Sequence, residues 1–222
     1  SGVDAQKITL GLCGSAIADV LAQIEQGIAF GVTKFLLLPP FYFKDLSDDG
    51  LWEWHSKLFE AADSRATFIL YHIPQLTKVP LSLGLVLRLR KAFGDRILAI
   101  KDSEGNWDNT VKLLESGVIP VLVGDERLLH KAAAMGGVGS ICGLANLYPR
   151  RIRTIFDTQV EDAALSADVN AIVSVPVMPA LKQIMVAKTG DASWARLRSP
   201  LQALSGEASA TITARFPARV FS

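Results

Sequence analysis

This sequence is short of the residues that build metal sites, membrane spans and nucleic-acid surfaces. Its 222 residues include three scattered histidines, His55, His72 and His130, and two cysteines, Cys13 and Cys142, with no CxxC pair. Zinc sites need clustered sulfur and imidazole donors, so no metal centre is expected. A large charge of one sign is also missing. The formal net charge of +1 removes the main reason to expect nucleic acid or an anionic membrane as partner. No apolar run approaches the roughly 18 residues of a membrane span. No basic stretch leads into a short apolar one at the start, so no signal peptide is expected. No G-x-G-x-x-G follows a strand-like run, which weighs against a dinucleotide-binding sheet. Both cysteines lie in apolar, strand-like stretches and read as reduced core residues, so the expected setting is cytoplasmic.

What the sequence does contain is core-forming material. Half of it is hydrophobic, enough for one sizeable domain. Short apolar runs begin near residues 8, 34, 67, 97, 120 and 138, separated by helical patterns. In the first of these, Ala16, Val20, Leu21, Ile24 and Ile28 recur at helical spacing, and Gly31 follows as a stop. Ser47 and Ser82 stand where helix N-caps are wanted, with Asp48 and Asp49 in the turn that the helix dipole makes favourable for acids. Strand, helix, strand at this spacing implies a parallel sheet with right-handed crossovers. After Cys142 only helices are expected, over about 149–157, 162–188 and 194–204. The stretch after Gly206 carries no strong pattern. Six strands leave two architectures open, an open doubly wound sheet or part of a (β/α)8 barrel, which needs eight strands.

One stretch stands out, Ile97-Leu98-Ala99-Ile100-Lys101-Asp102-Ser103-Glu104-Gly105. An apolar run of this kind reads as a strand buried on both faces. It stops at a single lysine. One strand earlier, Thr67-Phe68-Ile69-Leu70-Tyr71 stops in the same way at a tyrosine. Barrel chemistry is built at the carboxyl ends of strands. A lysine and a tyrosine on neighbouring strand ends therefore suggest an amine nucleophile beside a proton-handling phenol. An amine attacks a ketone only when unprotonated, and an apolar pocket disfavours the charged form.

Four segments, in order and at matching spacing, resemble the dihydrodipicolinate synthase/N-acetylneuraminate lyase family of class I aldolases. They are Leu38-Pro39-Pro40-Phe41-Tyr42-Phe43, Tyr71-His72-Ile73-Pro74, Ile100 to Gly105, and Gly136-Gly137-Val138-Gly139-Ser140. The resemblance runs from about residue 8 to 205. It implies a (β/α)8 TIM barrel that begins here at the third strand. On this reading residues 1–158 are the barrel portion and 159–222 a helical extension packed on it. The first two βα units have no counterpart in this sequence, nor does the Gly-Thr-Thr-Gly-type loop that holds the pyruvate carboxylate in the family. The resemblance therefore implies either a preceding segment or another chain that completes the barrel.

By the same resemblance Lys101 is the Schiff-base lysine that captures pyruvate or another 2-oxo acid, with no cofactor beyond that covalent imine. Tyr71 is the tyrosine that passes protons. Tyr42 is the relay tyrosine that reaches a neighbouring subunit's site. Ser140 and Ile141 line the pocket, and a homo-oligomer, dimer or tetramer, is expected. Leu76 stands where the synthase proper has a carboxylate-clamping arginine. Leucine offers no donor, so the expected activity shifts toward a lyase or aldolase acting on a sugar-acid-type aldehyde. The alternatives are the synthase itself or an inactive homologue that binds a 2-oxo acid. Two further readings concern local roles. Gly136 to Ser140 reads as backbone clearance beside the site in preference to a phosphate loop. Asp102 and Glu104 read as turn-forming residues in preference to acid–base groups. His72 stands in the family's usual asparagine position, without an evident reason.

Overall fold

In a computed structural model, residues 2–217 are described. The last five residues of the expected helical extension, 218–222, lie outside them. The chain alternates β1 (Thr9–Leu12), α1 (Ile17–Ala29), β2 (Lys34–Leu37), α2 (Asp48–Ala61), β3 (Thr67–His72), α3 (Pro74–Thr77), α4 (Leu83–Phe93), β4 (Ile97–Asp102), α5 (Trp107–Glu115), β5 (Val121–Val123), α6 (Leu129–Ala134) and β6 (Gly139–Ser140). Four helices follow, α7 (Pro149–Thr158), α8 (Ala163–Val173), α9 (Val177–Thr189) and α10 (Gly206–Arg215).

The six strands form one sheet in sequence order, every neighbouring pair parallel. Among the described residues β1 and β6 each pair on one side only. The strands are short and apolar because helices cover them. In β4 only Leu98 escapes full burial, and Phe35, Leu37, Phe68 and Leu70 of β2 and β3 are wholly buried. Phe59 of α2 stacks on Phe68 at 4.6 Å between ring centroids.

The expected helix signals operate. Ser47 Oγ accepts from Gly50 N at 3.1 Å, and Ser82 Oγ accepts from Leu85 N at 3.0 Å. Ser82 also donates to Asp48 Oδ2 at 2.5 Å, which ties the start of α4 to the start of α2. Gly94 ends α4 at φ +52, a conformation that costs glycine nothing.

Several expectations need correction. The single helix expected over 162–188 is two, α8 and α9, bent by 120° at a short break. Pro176 explains it: it has no N–H to give a helix, and it pushes Val175 out of the helical region. The helix expected over 194–204 is a single 3-10 turn, Ala192–Ala195, with irregular chain after it. The patternless stretch after Gly206 holds α10, anchored by Ile212 and Phe216, both buried and four residues apart. Cys13 is exposed and Cys142 only half buried, so neither is a core cysteine as expected; both are free thiols. Cys13 escapes because it follows β1, at the edge of the sheet. No single helix among the described residues is long and apolar enough to cross a membrane.

Candidate active site at the strand ends

β3 and β4 pair so that Tyr71 lies opposite Lys101 and His72 opposite Asp102. Lys101 is 7% exposed despite its charge-bearing side chain. Its Nζ sits over the Tyr71 ring, 4.0 Å from the centroid. A parallel ladder with both residues at strand ends leaves the two side chains no other arrangement than side by side. Both line a cavity of about 910 Å³ together with Ser103, Leu76 and Ile141. Its far wall comes from α8, α9 and the Trp194 turn.

The turn after Lys101 is held from several directions. The buried Asp102 carboxylate accepts from Thr110 Oγ1 at 2.8 Å, Asn109 Nδ2 at 3.4 Å and Glu104 N at 3.2 Å. It thereby ties β4 to the first turns of α5, which Asn106 caps by accepting from Asp108 N. This is the turn-forming role expected for Asp102. The backbone continues the lock: Gly124 N donates to Asp102 O at 2.7 Å, and Ser103 N donates to His72 O at 2.8 Å. Ser103 also presses on Gly124, where an added Cβ would fall 1.8 Å from Ser103 Oγ.

His72 now has a structural account. It is buried, and its Nδ1 accepts from Leu81 N at 3.1 Å, which places the proton on Nε2, 3.5 Å from Glu104 Oε2. It links the loops after β3 and β4, a job that asks for one acceptor and one donor on opposite sides of a ring. His72, Asp102 and Glu104 also bring potential metal-ligating atoms within 4.8 Å of one another. Both Asp102 oxygens and both His72 nitrogens take part in the hydrogen bonds just given.

The other candidates separate. Ile141 reaches the cavity. Ser140 turns its hydroxyl into the sheet, donating to Val123 O at 2.7 Å, and is not in the cavity lining. Tyr42 is 75% exposed, packs edge-on against Phe43 at 5.1 Å and stands outside the cavity. Its backbone N donates to Ser15 Oγ.

Sequence reasoning missed Glu126, Arg127, Met178 and Lys182, all in the cavity wall. Glu126 is buried and accepts from Leu144 N at 2.8 Å. Burial, and then the Glu126 charge, push the neighbouring Cys142 thiol up to about 11. Nothing in the local pattern around these residues signals a site. Only the folding of α8 and α9 over the strand ends makes one.

The model of the dihydrodipicolinate synthetase family matches residues 6–214, nearly the whole chain. The chain belongs to this family. Its members are lyases and synthases that work through a lysine Schiff base. An uncharacterized DapA-like lyase from Chloroflexus aurantiacus is 31% identical over 210 residues, covering 91% of this chain and 70% of that one. A 4-hydroxy-tetrahydrodipicolinate synthase from an Anaeromyxobacter strain is 27% identical, over 89% of this chain and 69% of that one. Among solved structures, dihydrodipicolinate synthase from Agrobacterium tumefaciens superposes with a TM-score of 0.92 at 36% identity, over 98% of this chain and 76% of that one. The curled parallel sheet with its helices is thus a TIM-barrel-like fold of this family.

Proposed function

We propose that this chain is a class I aldolase or lyase in which Lys101 forms an imine with pyruvate or another 2-oxo acid. The neutral amine adds to the keto carbon, water leaves, and an imine results. Loss of a proton from the adjacent carbon gives an enamine. The enamine adds to an aldehyde, and hydrolysis frees the product and the lysine; cleavage is the same path reversed. Tyr71, the ring beside Nζ, is the group positioned to carry protons. The observation that supports this most is a lysine 7% exposed at the carboxyl end of β4, set against a tyrosine and opening on a large cavity.

On the same reading the six strands are strands three to eight of an eight-stranded barrel, with residues 159–222 as its helical extension. The open edges of β1 and β6 then call for two further strands, since unpaired edges are a liability. Tyr42, exposed and outside the cavity, would serve a neighbouring copy's site in a homo-oligomer. Leu76 removes the guanidinium clamp and argues against the synthase proper. With no clamp for a second carboxylate, it favours a lyase or aldolase acting on a sugar-acid-type aldehyde. A setting in the cytoplasm suits an enzyme of this kind.

The test is covalent. Borohydride reduces an imine to a stable amine, so incubation with pyruvate and borohydride followed by peptide mass mapping should find the adduct on Lys101. A well-folded sample, with any preceding sequence included, that yields no adduct would support the inactive homologue instead.

A further inference from the structure

The acids on the cavity wall differ in what holds them. Asp125 accepts from Arg127 Nε and NH2 at 2.9 and 2.6 Å. Glu126 is buried and accepts from Leu144 N at 2.8 Å. Glu104 has no partner of that kind. Among the described residues its carboxylate meets one hydrogen-bonding group, His72 Nε2, at the long distance of 3.5 Å. A carboxylate offers about four lone-pair sites, so most of its accepting capacity is unused.

Glu104 is nevertheless held in place. His72 Nδ1 accepts from Leu81 N, which fixes the buried ring with its Nε2 proton toward Glu104. The backbone on either side of the turn is locked as well. Glu104 N donates to Asp102 Oδ1 at 3.2 Å, and Gln75 Nε2 donates to Ser103 O at 2.6 Å. β4 pairs with both β3 and β5, so strands added at the open edges of β1 and β6 would not lie next to it. The result is a loosely bonded carboxylate on a fixed turn, three residues after Lys101 and on the wall of the same cavity. Asp102 holds this turn with its side chain; Glu104 does not.

An aldolase reaction through a lysine imine moves protons at two places. One is the imine nitrogen and the carbon next to it, beside Tyr71. The other is the aldehyde oxygen, which becomes a hydroxyl when the carbon–carbon bond forms. We propose that Glu104 serves that oxygen and that His72 is the residue positioning its carboxylate. This rests on the lysine-imine reading above. In cleavage the Glu104 carboxylate takes the hydroxyl proton, and the O–H electron pair becomes the new C=O bond. The carbon–carbon bond breaks, its pair becomes the enamine double bond, and the iminium nitrogen takes back its π pair. In addition the enamine attacks the aldehyde, and protonated Glu104 gives its proton to the forming alkoxide.

The experiment separates the two places. Pyruvate alone, in deuterated water, reports imine and enamine formation by exchange of its methyl protons and by borohydride trapping. Pyruvate with glyceraldehyde, glycolaldehyde or glyoxylate reports the carbon–carbon step as aldol product. Glu104→Gln, matched in size and checked for folding by circular dichroism, should still trap and exchange pyruvate. Its kcat for aldol product should fall by about 10²–10⁴, the range of one general acid–base group. Glu104→Asp should recover part of that loss. His72→Asn should lower kcat less, and should have no further effect when added to Glu104→Gln. Equal losses of exchange and product in Glu104→Gln would mean a disturbed turn around Lys101 and overturn the assignment. Undiminished product formation in that variant overturns it too, as does a native protein that traps pyruvate yet gives no product with any of the three aldehydes. A His72→Asn effect that persists in full beside Glu104→Gln overturns the positioning role. Absence of any adduct on Lys101 overturns the imine reading and this assignment with it.

Discussion

Lys101 Nζ lies 4.0 Å from the centroid of the Tyr71 ring, and the two residues are register partners on adjacent parallel strands. The ring face lies against the amine, whereas proton transfer needs the hydroxyl. The two contributions can be separated. Tyr71→Phe keeps the ring and loses the phenol. Borohydride trapping of pyruvate should survive in this variant, while turnover falls by about 10²–10⁴, the range of one general acid–base group. Tyr71→Ala should slow trapping as well, and Lys101→Ala should abolish it. Full turnover by Tyr71→Phe would remove the tyrosine from the proton path.

A second relationship fixes the loop that follows Lys101. An added Cβ on Gly124 would fall 1.8 Å from Ser103 Oγ, 2.7 Å from its Cβ and 3.0 Å from its Cα. Backbone is part of that contact, so a rotamer change cannot relieve it. Overpacking of this kind costs about 1–3 kcal/mol. Gly124→Ala should therefore lower the urea midpoint, and Ser103→Gly in the same chain should recover a large share of the loss. Independent effects of the two changes in a double-mutant cycle would disprove the contact.

The Lys101–Tyr71 pairing was legible in the sequence because parallel strands bring equivalent ends together and each run stopped visibly at a polar residue. The caps at Ser47 and Ser82 were legible for a similar reason, since each meets its partner within three residues. What failed depended on contacts made far along the chain. The helical pattern from 162 to 188 continues through Pro176, and only the backbone cost of proline breaks it. α10 rests on Ile212 and Phe216, too few apolar positions to show a period. The bond from Ser140 Oγ to Val123 O, seventeen residues back, left no local sign either. The cavity's far wall is built from α8 and α9, so Met178 and Lys182 gave no local sign of a role.

His55 sets a pH dependence. It is wholly buried in α2, between Trp54 and Phe59. Its Nδ1 bonds Leu51 O at 2.6 Å and its Nε2 has no partner. Burial pushes its pKa down from 6.5 to about 4. Below pH 6.5 the unfolded chain therefore binds a proton that the folded chain refuses. Stability is unaffected above that pH and falls as the pH drops toward 4. The full loss is about 3 kcal/mol. Urea denaturation at pH 7 and pH 4.5 should show this loss developing in the native protein. In His55→Phe, which keeps the aromatic contacts, the slope of stability against pH over that interval should shrink. An unchanged slope in that variant would assign the acid sensitivity elsewhere.

The helical end is fastened by one charge network. Asp168 on α8 is buried and accepts from Arg215 Nε at 2.8 Å, while Arg151 NH1 stands 3.6 Å away. Arg151 of α7 also grips Asp162 with two bonds, at 2.8 and 2.7 Å, and Asp162 caps α8 through Leu165 N. The arginines are partly exposed, so solvent screens them and each pair is worth modest energy. Asp168 is different because it is the buried centre on which two guanidiniums converge. Removing it leaves both without their shared partner, whereas removing Arg215 leaves Asp168 still facing Arg151. Asp168→Ala should therefore cost about 1–3 kcal/mol and more than Arg215→Ala. In Arg215→Ala the amides of α10 should exchange faster with deuterium while β4 stays protected, because α10 would open before the sheet does. A coupling energy near zero between the two substitutions would show that the bond between α8 and α10 contributes nothing to holding the C-terminal helix in place.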